Sequence, residues 1–287
     1  MIAKGSTRVA VVALAAAGSA AFGFPPPSQL PCPAGTQLRR GGELPGLSRH
    51  ELYCARADGT KHGPTRVFEG GFRTEGSYAN GQEVGIWRTW HPNGRLFRRR
   101  RLVAGGLDGP EITWEADGTL ASKGMWRDGS REGLWIVKDQ ATGRGNYRHG
   151  VREGRWSFSD EGHRAAAGNY RHGELEGAWV FYWPGGGLDS RGTFRHGEKQ
   201  GRWRFFEPEG WLRVEIQCRG GEADGKFVAY DKHGFVEMRG YFEDGVGGVR
   251  RLDGTGRGRS GDLCGDDCWA RDHCHTDDEY RLVDDID

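Results

Sequence analysis

The stretch GNYRHGVREGRW, residues 145–156, is written again as GNYRHGELEGAW at residues 168–179 and as GTFRHGEKQGRW at residues 192–203. Self-similarity at a period between about 20 and 50 residues is the signature of a repeat architecture. Working outward, one glycine keeps phase at Gly63, Gly85, Gly109, Gly133, Gly154, Gly177, Gly201, Gly225 and Gly248, in steps of 21 to 24 residues. A second glycine precedes most of these by four residues, at Gly81, Gly105, Gly129, Gly150, Gly173, Gly197 and Gly221, and Gly245 precedes Gly248 by three. A third recurs inside the units, in PNG (Gly94), ADG (Gly118), DEG (Gly162), PEG (Gly210) and KHG (Gly234).

Between these glycines the chain is short and aromatic. IWRTW, LWIVK, RWSFS, AWVFYW, RWRFF and KFVAY follow the phase glycine, and GSYANG, GMWRDG, GNYRHG, GTFRHG and GYFEDG lead into the second. Short β-favouring runs bounded by Asn-Gly or Asp-Gly pairs read as hairpins. Eight units of two strands predict about 16 strands in one elongated antiparallel meander, roughly 75 Å across at the usual strand spacing. The fold is therefore all-β. A lone hairpin cannot bury its aromatic face, but a stacked neighbour covers it, so each unit must resemble the next.

Aromatics stand two residues after the phase glycine (Trp87, Trp135, Trp156, Trp179, Trp203, Phe227) and five after it (Trp90, Trp114, Tyr182, Phe206, Tyr230). These positions have opposite parity, so either both faces are partly aromatic or a bulge intervenes. His149, His172 and His196 occupy the turn position that Asn80, Asp128 and Asp244 fill elsewhere. A metal ladder is conceivable there, but a turn residue tolerating positive φ before glycine is the expected role.

Composition agrees with this reading. Fifty of the 287 residues are glycine, and only 36% are hydrophobic, yet Trp reaches 11 and Phe 13. That mixture suits short strands and tight turns rather than a thick aliphatic core. A net charge of +1 gives no bulk attraction to nucleic acid. The balance is local, however: residues 260–287 hold ten acidic residues against Arg271 and Arg281, leaving the repeats basic. This tail is expected to be solvated, the alternative being that it folds back on the basic sheet.

The N-terminus reads as an export signal. Lys4 and Arg8 precede an uncharged stretch rich in small residues, and Ser19, Ala20 and Ala21 supply a cleavage point after Ala21. Residues 9–24 fall short of the roughly 20 apolar residues of a spanning helix, so no transmembrane segment is expected after cleavage. Disulfides persist outside the cytosol. Cys32 and Cys54 are expected to pair across a small cap in residues 22–62, ahead of the repeats at 63–248 and a Gly/Arg linker and tail at 249–287.

With phase, period and aromatic positions in hand, the chain resembles the MORN repeat family, and most closely its bacterial variant in the YwqK-type antitoxins. GIWRTWHPNGRLF and GNYRHGVREG carry the likeness, which spans residues 63–248; CPAGT with DGTKHGP resembles the cysteine-bearing lead-in of exported members. The resemblance implies binding or scaffolding rather than chemistry. Three places depart from it: the Gly133 unit is short, FRRRRLVAG lacks the glycine and aromatic of its second strand, and EIQCRGG puts Cys218 where an aromatic belongs.

Motifs of catalysis are missing: the chain has no HExxH, GxSxG or P-loop sequence. GRGRSG at residues 256–261 matches GxGxxG, but it lies in a linker and not between a strand and a helix. In the arginine run at residues 98–101, a strand would alternate the charges between faces, so they would not focus on one ligand; a solvated strand is the expected role, with an anionic glycan or lipid patch as the secondary reading. Cys264, Cys268, Cys274 and His275 could complete a tetrahedral zinc site, but C-x3-C-x5-C-H lacks the usual C-x2-C knuckle. Disulfide bonding between two of these cysteines is expected instead, with the third free or reaching Cys218.

The expectation is thus an exported, non-enzymatic repeat protein with no cofactor and no metal. Trp90, Trp114, Tyr182, Phe206, Tyr230, Arg99 and Arg101 are its candidate surface for an unknown protein or envelope partner. An antitoxin-like protein neutralising one toxin is the alternative, and an envelope metalloenzyme using the Cys/His tail a third.

Overall fold

The computed structural model describes residues 30–41, 49–138, 141–251 and Cys274. The described chain forms 19 strands. They are β1 (Gln37–Gly41), β2 (Arg49–Ala55), β3 (Lys61–Glu69), β4 (Phe72–Ala79), β5 (Gln82–Trp90), β6 (Leu96–Val103), β7 (Gly106–Trp114), β8 (Leu120–Arg127), β9 (Ser130–Lys138) and β10 (Thr142–Arg148). The second half continues with β11 (Val151–Asp160), β12 (His163–Arg171), β13 (Glu174–Tyr182), β14 (Leu188–Arg195), β15 (Glu198–Phe206), β16 (Leu212–Arg219), β17 (Glu222–Tyr230), β18 (Val236–Glu243) and β19 (Val246–Arg251).

Every strand pairs antiparallel with the one before it, from β1–β2 at one end to β18–β19 at the other. The result is one open antiparallel meander. It has three more than the 16 strands counted from the repeats, because the cysteine-bearing lead-in contributes β1 and β2 and β19 follows the eighth unit. The cap is the first hairpin of the sheet, stapled by the expected Cys32–Cys54 disulfide.

The turns are of two kinds, and both follow from glycine. At His172–Gly173 the two turn residues have φ of 54° and 88°, as a two-residue type I′ hairpin requires. The three histidines at this position all show φ between 51° and 54°, which Asn, Asp and His accept more readily than branched residues. Each such turn also docks on its predecessor: the amide of His172 donates to Glu153 Oε2 at 2.9 Å, and that of Gly173 to the carbonyl of Arg152 at 3.0 Å. The other kind is a longer loop, such as residues 91–95, where His91 N–H donates to the Arg95 carbonyl at 2.8 Å.

The core is a cross-strand row rather than a layer. In the middle of the sheet the row reads Trp135, Gly145, Trp156, Gly168, Trp179, Gly192, Trp203, Ile216, Phe227 and Gly240. The four tryptophans and Phe227 are fully buried. At the phase glycines from Gly63 to Gly225 the register shifts: Ala167 faces Val180 and Asn169 faces Glu176, so Gly168 alone lies opposite three residues ending in Trp179. Two extra residues keep the alternation intact, so Leu175, Trp179 and Phe181 stay on one face. The indole then lies over Gly168, where a Cβ would sit 2.0 Å from Trp179 Cδ2. Its Nε1–H donates to the Asn169 carbonyl at 3.0 Å, and Trp135, Trp156 and Trp203 repeat the arrangement. Edge-on aromatics, such as Tyr170 at 5.3 Å between ring centres, close the sides. Burying a side chain of this size stabilises by roughly 4 kcal/mol or more on area grounds.

Glycine and tryptophan vary together. Where the repeat lacks the Trp, the facing Gly is also replaced: Arg100 faces Glu111, Ile216 faces Phe227, and Tyr53 faces Thr65. The glycine missing from FRRRRLVAG is therefore one half of a coordinated substitution across a strand pair.

Candidate functional site

Because the aromatic row seals one face, the positions of opposite parity decide what the protein presents. Trp90, Trp114, Tyr182, Phe206 and Tyr230 all lie on that other face and are half-buried. Both faces are thus partly aromatic, and the glycine bulge does not change the parity. Each of the five aromatics has one aliphatic residue as its register partner on the next strand: Leu96, Leu120, Leu188, Leu212 and Val236 respectively. Arginines lie over two of them, Arg73 at 4.0 Å from the Trp90 ring centre and Arg191 at 5.6 Å from that of Phe206. Burial pushes the Arg73 guanidinium below its ordinary pKa, with Glu75 opposing the shift.

The arginine run divides as alternation requires. Arg99 and Arg101 are exposed on this outer face, while Arg98 and Arg100 point into the aromatic side and are half-buried. Desolvation lowers the Arg98 pKa, and the neighbouring Arg100 lowers it further.

Arg99 also belongs to a longer array. Register carries the outer face from Arg88 to Arg99, on to Ile112, and then to Lys123. From Lys123 it passes to Ile136 and Arg144. Beyond three uncharged positions (Ser157, Ala167, Val180) it resumes at Arg191 and Arg204, and past Glu215 and Val228 reaches Arg239. Only Arg99 of this array was singled out from sequence. The periodic signal was available: these residues are the third after each phase glycine or the sixth before each turn glycine. Beside the array, Pro110, Ile112, Met125, Leu134 and Ile136 line a shallow apolar hollow bounded by Lys123 and Arg144.

On the sealed face three cations serve packing. Arg152, 7% exposed, lies 5.1 Å from the ring centres of Trp156 and Tyr170 and donates to the Tyr170 hydroxyl at 2.8 Å. Burial disfavours its charge, but Tyr170 and Tyr147 outweigh that and raise its pKa. Arg131 repeats the pattern against Tyr147, and Lys199 sits fully buried against Trp203 and Phe205.

Cys218, the residue that replaces an aromatic, is bonded to Cys274 of the tail. Both sulfurs are buried in the aromatic cluster. This decides between the pairings that sequence left open for Cys274, and it withdraws one sulfur from the Cys264, Cys268, Cys274 and His275 ligand set. Cys264, Cys268 and His275, like the leader expected in residues 1–21, lie outside the described residues. The described residues contain no cluster of three or more metal-ligating side chains and no helix long and apolar enough to cross a membrane. Two disulfides are the mark of an oxidising compartment.

No protein-family profile matches the chain. No curated protein matches it in sequence either.

Proposed function

We propose that this is an exported, non-enzymatic repeat protein of MORN-like type whose open outer face is an extended binding surface for a protein or envelope component. The observation that carries the reading is the inequality of the two faces. One is closed along the middle of the sheet by the Trp–Gly row, and the other presents the half-buried Trp90, Trp114, Tyr182, Phe206 and Tyr230 beside a line of exposed cations. Aromatic and arginine side chains of this kind anchor interfaces. Among the described residues that suggested chemistry, the histidines at the repeat turns adopt the left-handed turn conformation and Cys274 staples the tail. The export leader and the disulfides support the envelope, periplasm or exterior as its location.

Crosslinking affinity capture of residues 22–287 from envelope and secreted fractions tests the proposal. A stoichiometric partner whose crosslinks map to Trp90, Tyr182 or Phe206 is the expected result. A toxic domain in that partner would select the antitoxin reading. Crosslinks confined to the sealed face, or no partner in any fraction, would overturn the proposal.

A further inference from the structure

The row of cations on the outer face points to a particular chemistry of partner. Arg88, Arg99, Lys123, Arg144, Arg191 and Arg239 are all exposed and stand in one cross-strand line. Arg99, Lys123 and Arg144 recur every second strand, so their backbones are about 9.6 Å apart at the usual strand spacing. The residues between them are Ile112 and Ile136, with no acid to cancel the field. Glu75 and Glu215, the acids within the row, are engaged with Arg66 and Arg204 at 2.7 and 2.8 Å. Two residues along the strands runs a parallel line of half-buried aromatics, including Trp90, Trp114 and Phe206.

We infer that the outer face binds a linear, carboxylated polysaccharide laid across the strands. This deepens the proposed function and rests on it. Single-file charge at a repeated spacing complements a thread with one anion per repeat unit, and aromatic faces beside it pack against the apolar faces of sugar rings. A bilayer fits less well: antiparallel sheets twist strand by strand, so a row crossing 14 strands winds, and a plane touches only a few of them. A flexible polymer follows the winding.

The probe is polygalacturonate, with size-graded oligogalacturonates, neutral dextran and phosphatidylglycerol vesicles alongside, measured against the chain from residue 22 onward. Binding should tighten with oligomer length, weaken with salt and be absent for dextran. The variant Arg88→Ser/Arg99→Ser/Lys123→Ser/Arg191→Ser should bind about tenfold or more weakly, with a shallower salt dependence. Its charge-matched control is Arg127→Ser/Arg148→Ser/Arg171→Ser/Arg195→Ser, four exposed arginines at the turn edge, which should change binding little. Equal losses in the two variants, no dependence on length, or binding to vesicles without polygalacturonate would each overturn the inference. If capture finds a protein partner on the outer face while polygalacturonate fails, this inference falls and the proposed function stands. If both fail, both fall.

Discussion

Replacing Gly168 by alanine tests the central packing claim. The added methyl would lie 2.0, 2.2 and 2.4 Å from Trp179 Cδ2, Cε2 and Cγ, inside the ring itself. The indole cannot retreat without leaving Phe181 and Tyr170, whose ring centres lie 5.7 and 5.3 Å away, and breaking its bond to Asn169. Overpacking costs about 1–3 kcal/mol, and the lost hydrogen bond about 1 kcal/mol more. Reduced freedom of the unfolded chain returns about 0.4–1 kcal/mol. A net loss of about 2–3 kcal/mol is expected. Gly177→Ala provides the contrast, because the nearest atom to its Cβ is Asn169 Nδ2, at 4.0 Å, but φ is +71°. It should lose about 1–2 kcal/mol to backbone strain alone and recover most of it as Gly177→Asn. Trp179→Ala should cost about 3–5 kcal/mol. The double variant Gly168→Ala/Trp179→Ala should be no less stable than Trp179→Ala, since the clash is gone. Urea unfolding followed by far-UV circular dichroism and tryptophan fluorescence measures all five variants. A Gly168→Ala loss below about 0.5 kcal/mol, or strict additivity in the double variant, would refute the reasoning.

Two further outcomes follow from the same geometry. His196→Asn should leave stability unchanged within about 0.5 kcal/mol, whereas His196→Val should lose about 1–2 kcal/mol, because a branched residue resists φ of +53°; a metal-dependent difference in melting between wild type and His196→Asn would contradict the turn assignment. Non-reducing peptide mapping should link Cys218 to Cys274, and Cys274→Ser should lower stability by about 4 kcal/mol in the chain-entropy account of a 56-residue separation; a link from Cys274 to Cys264 or Cys268 would overturn the assignment.

Much of the fold was legible in the sequence because glycine marks backbone conformation directly. His172–Gly173 announces a turn whatever surrounds it, since few residues accept its φ. Repetition then turned local signals into a meander, and the Cys32–Cys54 loop lay within one short segment. The site was less legible. Parity showed that Trp179 and Tyr182 face opposite ways unless a bulge intervenes, but not which face closes. That depends on Gly168, a strand away, admitting the indole.

The sequence by itself determined the strands, the turns and their period, because those rest on φ preferences and local alternation. Only the tertiary structure decided the partnerships. Trp179 over Gly168, Arg100 against Glu111, Cys218 with Cys274, and Arg88, Arg99 and Lys123 in one line all join residues from different strands or units. Register makes these contacts, and register is fixed by cross-strand pairing and the two-residue glycine bulge, so no single segment of the chain contains them.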